Sequence, residues 1–281
     1  MRESKEPIRD AINRIATYLG LTFALSAVFY GLIISAGTLT AGGGLYTLGL
    51  MWCPGIAAMA TTLVFQRNLK GLGWRLGNVR YLVLAYALPL AYAAVAYVVA
   101  WNLGLGAFSA DGLPAGQSLL SFLAINATVG VALSLLPAMG EEIGWRGFLV
   151  PELARITGFT KTALLSGAIW AVWHMPLILF ADYHSGAPLW FGLACFTVMV
   201  IGISFAFAWL RLRSGSFWPA ALMHASHNLF IQQVFDPLTQ DTGITACVTG
   251  EFGAALAIAA IVIAYTFWRL RPTGEGLDRV R

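Results

Sequence analysis

Residues 139–149 read MGEEIGWRGFL. Two adjacent acids, Glu141 and Glu142, and an arginine, Arg146, stand there directly after residues 118–140, which carry no charge at all. That preceding run exceeds the roughly 20 apolar residues a helix needs to cross hydrocarbon. A charge at the centre of a bilayer costs about 2.5–3.5 kcal/mol on insertion scales, so such residues pair or serve a function. The stretch therefore poses two linked expectations: a membrane-spanning helical fold, and a polar centre inside it.

The rest of the chain agrees with the first. Of 281 residues, 58% are hydrophobic and only 11% charged, and the mean hydropathy is +0.74. Soluble domains carry about 25% charge. Eight apolar runs are long enough to be spans: about 15–36, 44–66, 81–101, 118–140, 162–180, 188–210, 217–235 and 252–268. The connections are short and no internal repeat is evident, so the expectation is one all-α, polytopic transmembrane domain over residues 1–281. The first run is too long for a signal-peptide core and has no A-x-A site near it, which makes it a retained helix. Cys53, Cys195 and Cys247 are scattered and odd in number, which supports neither a disulfide framework nor a thiolate metal site. The net charge of +4 comes without a basic run interleaved with aromatics, so no nucleic-acid partner is expected.

Charge asymmetry orients the bundle. All 17 Lys and Arg fall in the two tails and in the second, fourth and sixth connections, from Arg67–Arg80 to Arg146–Lys161 and Arg211–Arg213. The alternate connections hold Asp111, Asp182, Asp236, Asp241 and Glu251. By the positive-inside rule both termini face the cytoplasm.

Counting inward from the basic side, Glu141 lies 14 residues from Arg155, roughly 20 Å of helix. His174 and His224 fall at a similar depth behind Lys161 and Arg213. Three ionisable groups from three helices thus meet at one level. Glu142 and Arg146 are i,i+4 with the acid first, the favoured order for a helical ion pair. Glu141 points about 100° away without such a partner, which leaves it free for chemistry, and desolvation suits a carboxylate to general-base work. His224 and Asn228 share one face of the seventh span, with His227 beside it. Pro176 removes a backbone donor just after His174 and is expected to open that helix. Trp145, Trp170 and Trp173 are expected cavity walls.

Glu141-Glu142-Ile-Gly-Trp-Arg146, then Trp170-Ala-Val-Trp-His174, then His224-Ala-Ser-His-Asn228 together resemble the EExxxR, FxxxH and HxxxN/D motifs of the CAAX prenyl endopeptidases and bacteriocin-processing enzymes, the CPBP or Abi proteins. Order and intervals match over about residues 118–235. Trp170 departs from the family's Phe, which bears on pocket shape. The resemblance implies intramembrane proteolysis of a membrane-associated or lipidated peptide or protein, at a site open to the cytoplasm of a prokaryotic plasma membrane. It implies one of two mechanisms. In one, Glu141 and His174 activate water while His224 and Asn228 stabilise the oxyanion, supported by Glu142 and Arg146. In the other, His174, His224 and Glu141 hold zinc with one position left for water. The rivals are a proton-coupled transporter, since buried acids and histidines also form relays, and a non-catalytic immunity protein.

Overall fold

Eight helical rods stand where the apolar runs fall, and the computed structural model describes residues 6–271 of the chain. They are α1 (Glu6–Ala36), α2 (Leu45–Gln66), α3 (Val79–Asn102), α4 (Leu119–Ile156), α5 (Phe159–Phe180), α6 (Leu189–Ser214), α7 (Trp218–Asn228, prolonged by a π-turn over Leu229–Phe235) and α8 (Ala254–Arg269). The first six are long and apolar enough to cross a membrane. Their outward side chains, among them Val28, Val95, Leu133 and Val172, are exposed and apolar, as faces turned to lipid must be. The chain is a multi-pass helical membrane protein.

Local sequence explains the ends. Asn78 accepts a hydrogen bond from Arg80 N at the start of α3, and Ser118 accepts one from Ser121 N at the start of α4; both fill orphan donors of a first turn. Pro219 sits in the first turn of α7, where no amide hydrogen is needed. Gly215, at φ +70°, closes α6. The only strands among the described residues, β1 (Ala107–Phe108) and β2 (Thr239–Gln240), pair antiparallel between connections.

The helices pack as α1 on α2, α2 on α4, α4 and α3 on α7, and α6 between α5 and α8. The α2–α4 contact is the closest. A Cβ on Gly140 would lie 2.7 Å from Met51 O, and one on Gly144 would lie 2.5 Å from the Pro54 Cβ. Gly140 and Gly144 form a small-xxx-small pair that admits the neighbouring backbone, and they flank the two acids. Between them and Val150 the helix widens into a π-turn, Ile143–Leu149.

One end of the bundle is tied by the basic residues. Arg14 Nη2 meets Glu152 at 2.9 Å. Arg211 donates to Arg146 O at 2.8 Å and to Gly71 O at 3.3 Å. Pro176 leaves no break, since α5 runs through it to Phe180. The expected opening beside His174 is absent because the helix simply loses one donor there, with neighbours packed on both sides.

Candidate active site

The three motif segments converge. Glu141, His174, His224 and Asn228 all line one cavity of about 150 Å³, together with Trp170, Trp173 and His227. Four helices' worth of sequence separation collapses into one chamber, as the depth count from the basic side predicts.

The acid pair divides its contacts. Glu141 Oε2 accepts from Trp170 Nε1 at 2.8 Å and from Trp145 Nε1 at 3.3 Å. Its Oε1 takes no hydrogen bond from the described residues. Glu141 does have a partner in its own helix after all: Trp145, one turn on, which i,i+4 charge pairing could not reveal because the donor is an indole. Trp145 is 1% exposed and lies behind Trp173, so it backs the carboxylate and does not wall the cavity. Trp173 donates in turn to Ser26 Oγ at 2.9 Å.

Glu142 Oε1 accepts from Arg146 Nη1 at 2.6 Å, the expected ion pair, and also from His224 Nδ1 at 3.0 Å. The Arg146 guanidinium is clamped between the rings of Trp170 and Phe207, with Cζ 4.1 and 3.9 Å from their centroids. Glu142 therefore does more than steady its neighbour. It fixes which nitrogen of His224 faces the cavity, leaving Nε2 inward.

His174 is fixed likewise. Its Nδ1 lies 2.8 Å from Trp170 O; a carbonyl can only accept, so Nδ1 carries hydrogen and a neutral ring presents Nε2 as an acceptor. The Trp170 ring packs edge-on against both imidazoles, 5.6 Å from His174 and 5.3 Å from His224. Asn228 is half-buried at the cavity wall.

One acid escaped sequence reasoning. Glu251, assigned there to an outer connection, lines the same cavity and is 6% exposed. Its Oε1 accepts from His227 Nε2 and Gln232 Nε2, each at 3.1 Å, and its Oε2 accepts from Tyr183 OH at 2.7 Å. The other ring nitrogen of His227 is bonded to Tyr92 OH. Burial alone would raise the Glu251 carboxyl, but these donors and the His227 charge bring it down to about 2. The only sequence cue is an acid between Gly250 and Gly253 before the last helix; nothing in the spacing links it to His227, 24 residues earlier.

The cavity reaches toward the end of the bundle that carries the acidic connections. Its lining includes Leu39, Thr47, Tyr183 and Glu251, at the end of the bundle where the acidic connections lie. A recess of about 570 Å³ shares Leu39, Tyr183, Gln232 and Glu251 with it and adds Asp182, Asp236 and Asp241. Toward the basic end, Arg146, Phe207 and Arg211 are buried and in contact with one another.

Among the described residues no three His, Cys, Asp or Glu side chains gather closely enough to hold a metal ion. Glu141 Oε2 is already held by two indoles. The arrangement does not fit the zinc set of His174, His224 and Glu141.

Fold and site together define a class: a polytopic helical membrane protein with a carboxylate–imidazole centre buried among its spans. Residues 123–230 match the family described as Rce1-like, type II CAAX prenyl endopeptidase. A stretch of 138 residues, 47% of the chain, is 33% identical to CAAX prenyl protease 2 of Methanococcus maripaludis and covers 48% of that relative. The matched stretch thus spans about half the length of the relative.

Proposed function

We propose that the protein is an intramembrane endopeptidase that hydrolyses a peptide bond of a membrane-associated or lipidated substrate without a catalytic metal. The observation that carries this reading is the division of labour within the acid pair: Glu142 is consumed by Arg146 and His224, while Glu141 keeps one oxygen for the cavity.

In this mechanism a water sits between Glu141 Oε1 and His174 Nε2. Glu141 takes a proton from it as the oxygen attacks the scissile carbonyl carbon. The oxyanion accepts a hydrogen bond from the Asn228 amide and one from His224 Nε2, the latter in the doubly protonated ring that also gives Nδ1–H to Glu142. Collapse of the adduct breaks the C–N bond, and the proton held by Glu141 passes to the departing amine. Preorganised donors of this kind are worth about 10²–10³ in rate each, and a positioned base about 10²–10⁴.

With the basic end on the cytoplasmic face of a prokaryotic plasma membrane, the cavity mouth faces the outer side. Substrate then approaches from the membrane or the outer surface.

The test is cleavage of a farnesylated fluorogenic peptide by purified protein in detergent. Glu141→Gln and His224→Ala are each expected to lower turnover by at least about a hundredfold, with activity kept in a strong chelator. Unchanged turnover in both variants would sink the proposal.

A further inference from the structure

We propose that a groove at the basic end of the bundle binds the phosphate of an anionic glycerophospholipid, held between Arg80 and Arg213. Its lining shares no residue with the cavity of Glu141, so the site stands apart from the chemistry of that cavity.

The groove has a volume of about 310 Å³ and is lined by Arg80, Tyr81 and Leu84 of α3 and by Trp209 and Arg213 of α6. Arg80 lies in the first turn of α3 and Arg213 in the last turn of α6. Two spans therefore leave the hydrocarbon here, at the end that the charge rule assigns to the cytoplasm. The floor of the groove is aromatic and fixed. The Tyr81 and Trp209 rings meet edge-on at 5.7 Å, Phe267 of α8 packs on Trp209 at 5.3 Å, and Trp209 Nε1 donates to Leu270 O at 2.8 Å. Both guanidiniums lie against this floor. Arg80 Cζ is 4.7 Å from the Tyr81 centroid, with Nη2 donating to Tyr81 OH at 2.8 Å, and Arg213 Cζ is 5.8 Å from the Trp209 centroid.

Charge and depth select the ligand. No acid lines the groove, and among the described residues neither arginine is ion-paired. The arginines that tie the fold together differ in this respect: Arg146 is paired with Glu142, and Arg14 with Glu152. Two exposed guanidiniums flanking one groove suit a phosphate, whose oxygens accept several N–H bonds at once. Tyrosine and tryptophan belong at the level of lipid headgroups, and basic pockets between spans on the cytoplasmic side are where anionic headgroups bind. Leu84 carries the groove one turn deeper along α3, and Val83 beside it in sequence is exposed. An acyl chain attached to the phosphate thus meets an apolar helix face, which a free phosphate does not use. A zwitterionic headgroup brings its own cation to the same two arginines and loses the net attraction. The alternative is that both arginines act only through the general positive charge of this end, which exposed Lys70 and Arg75 in the preceding connection also carry.

Full-length protein stripped of lipid in a neutral detergent is titrated with phosphatidylglycerol or with phosphatidylcholine, and bound lipid is counted by native mass spectrometry. Wild type is expected to bind phosphatidylglycerol at least about tenfold more tightly than phosphatidylcholine. With Arg80→Gln and Arg213→Gln combined, the ratio should fall to within about threefold. Lys70→Gln with Arg75→Gln removes the same charge from the same end and should keep the wild-type ratio. Each ratio is internal to one preparation, so a lower folded fraction cancels, and it needs no turnover. Equal binding of both lipids by wild type, or an equal loss of preference in the two double variants, overturns the proposal. A further arm adds inorganic phosphate at millimolar concentration, against which the lipid should stay bound because it is also held by its acyl chains. Displacement of the lipid there would give the site to free phosphate and overturn the assignment to lipid.

Discussion

Trp170 donates its indole N–H to Glu141 across 2.8 Å while its ring packs edge-on against both His174 and His224. One side chain thus sets the carboxylate oxygen that stays free and contacts both imidazoles. The departure from the family's Phe at this position is therefore a matter of chemistry as well as pocket shape. Trp170→Phe keeps the aromatic contacts and removes the donor. A hydrogen bond to a charged group is worth about 1.5–3 kcal/mol, so kcat should fall roughly tenfold to a hundredfold with little change in KM. Steady-state kinetics on the fluorogenic peptide checks this, and a loss confined to KM would show that the indole acts on binding instead.

Glu142, Arg146 and His224 form a chain in which removing either ion leaves the other buried and unpaired. Breaking such a pair costs about 3–5 kcal/mol. Glu142→Gln and Arg146→Met should each lower the melting temperature in detergent markedly, and the double variant should recover much of it, since an apolar replacement leaves no stranded charge. Activity should not recover with stability, because His224 Nδ1 still lacks its carboxylate. Melting curves and turnover measured on the same preparations distinguish the two effects.

The approach of α2 to α4 rests on two missing side chains. A Cβ at Gly144 would fall 2.5 Å from the Pro54 Cβ and 2.6 Å from its backbone carbonyl, with no flexible atom to yield. Gly144→Ala should cost about 1–3 kcal/mol by overpacking and displace Glu141, three residues earlier, so that activity falls more than stability does. Gly20→Ala on α1 meets nothing within 4 Å and serves as the silent control in the same thermal and kinetic assays.

Much of this was legible in the sequence. Hydropathy located all eight helices, because a span must bury its backbone bonds in itself and needs an unbroken apolar run, but α1 begins nine residues before its expected start at 15 and α4 runs sixteen residues past its expected end at 140. The charge count from the basic side brought Glu141, His174 and His224 to one level, since rise per residue is constant along a helix. What could not be read were contacts made by neutral donors between helices: Trp170 and Trp145 on Glu141, and Tyr92 on His227. Glu251 was hidden for the same reason. An acid in a short connection looks solvated until the fold turns that connection inward over α7.

Glu251 gives stability a defined acid dependence. Its carboxyl lies at about 2 in the folded protein against an ordinary 4.5, lowered by His227, Tyr183 and Gln232 against the opposing effect of burial. A depressed carboxyl contributes stability that is fully present above the unfolded value and is lost as pH falls through the folded one. The contribution is on the order of 3 kcal/mol. Wild type should therefore melt well above Glu251→Gln at pH 7, and the gap should close between about pH 4.5 and 2. Melting temperatures of both proteins across that range in one detergent provide the check; a gap independent of pH would mean that the lost contact is not one of charge.

Asp241 and Asn68 sit at opposite ends of the bundle, both exposed, the first on the acidic connection that lines the recess and the second on the basic connection after α2. Positive charge is held on the cytoplasmic side during insertion, so the two ends carry different accessibilities in a living cell. With Cys53, Cys195 and Cys247 replaced by alanine, Asp241→Cys should react with a membrane-impermeant maleimide in intact cells, and Asn68→Cys only after permeabilisation. Labelling in that order places the mouth, and with it the Glu251 charge, on the outer face. The reverse order would put the mouth in the cytoplasm and require the basic connections to lie outside, against the charge rule, while leaving the geometry of Glu141, His174 and His224 untouched.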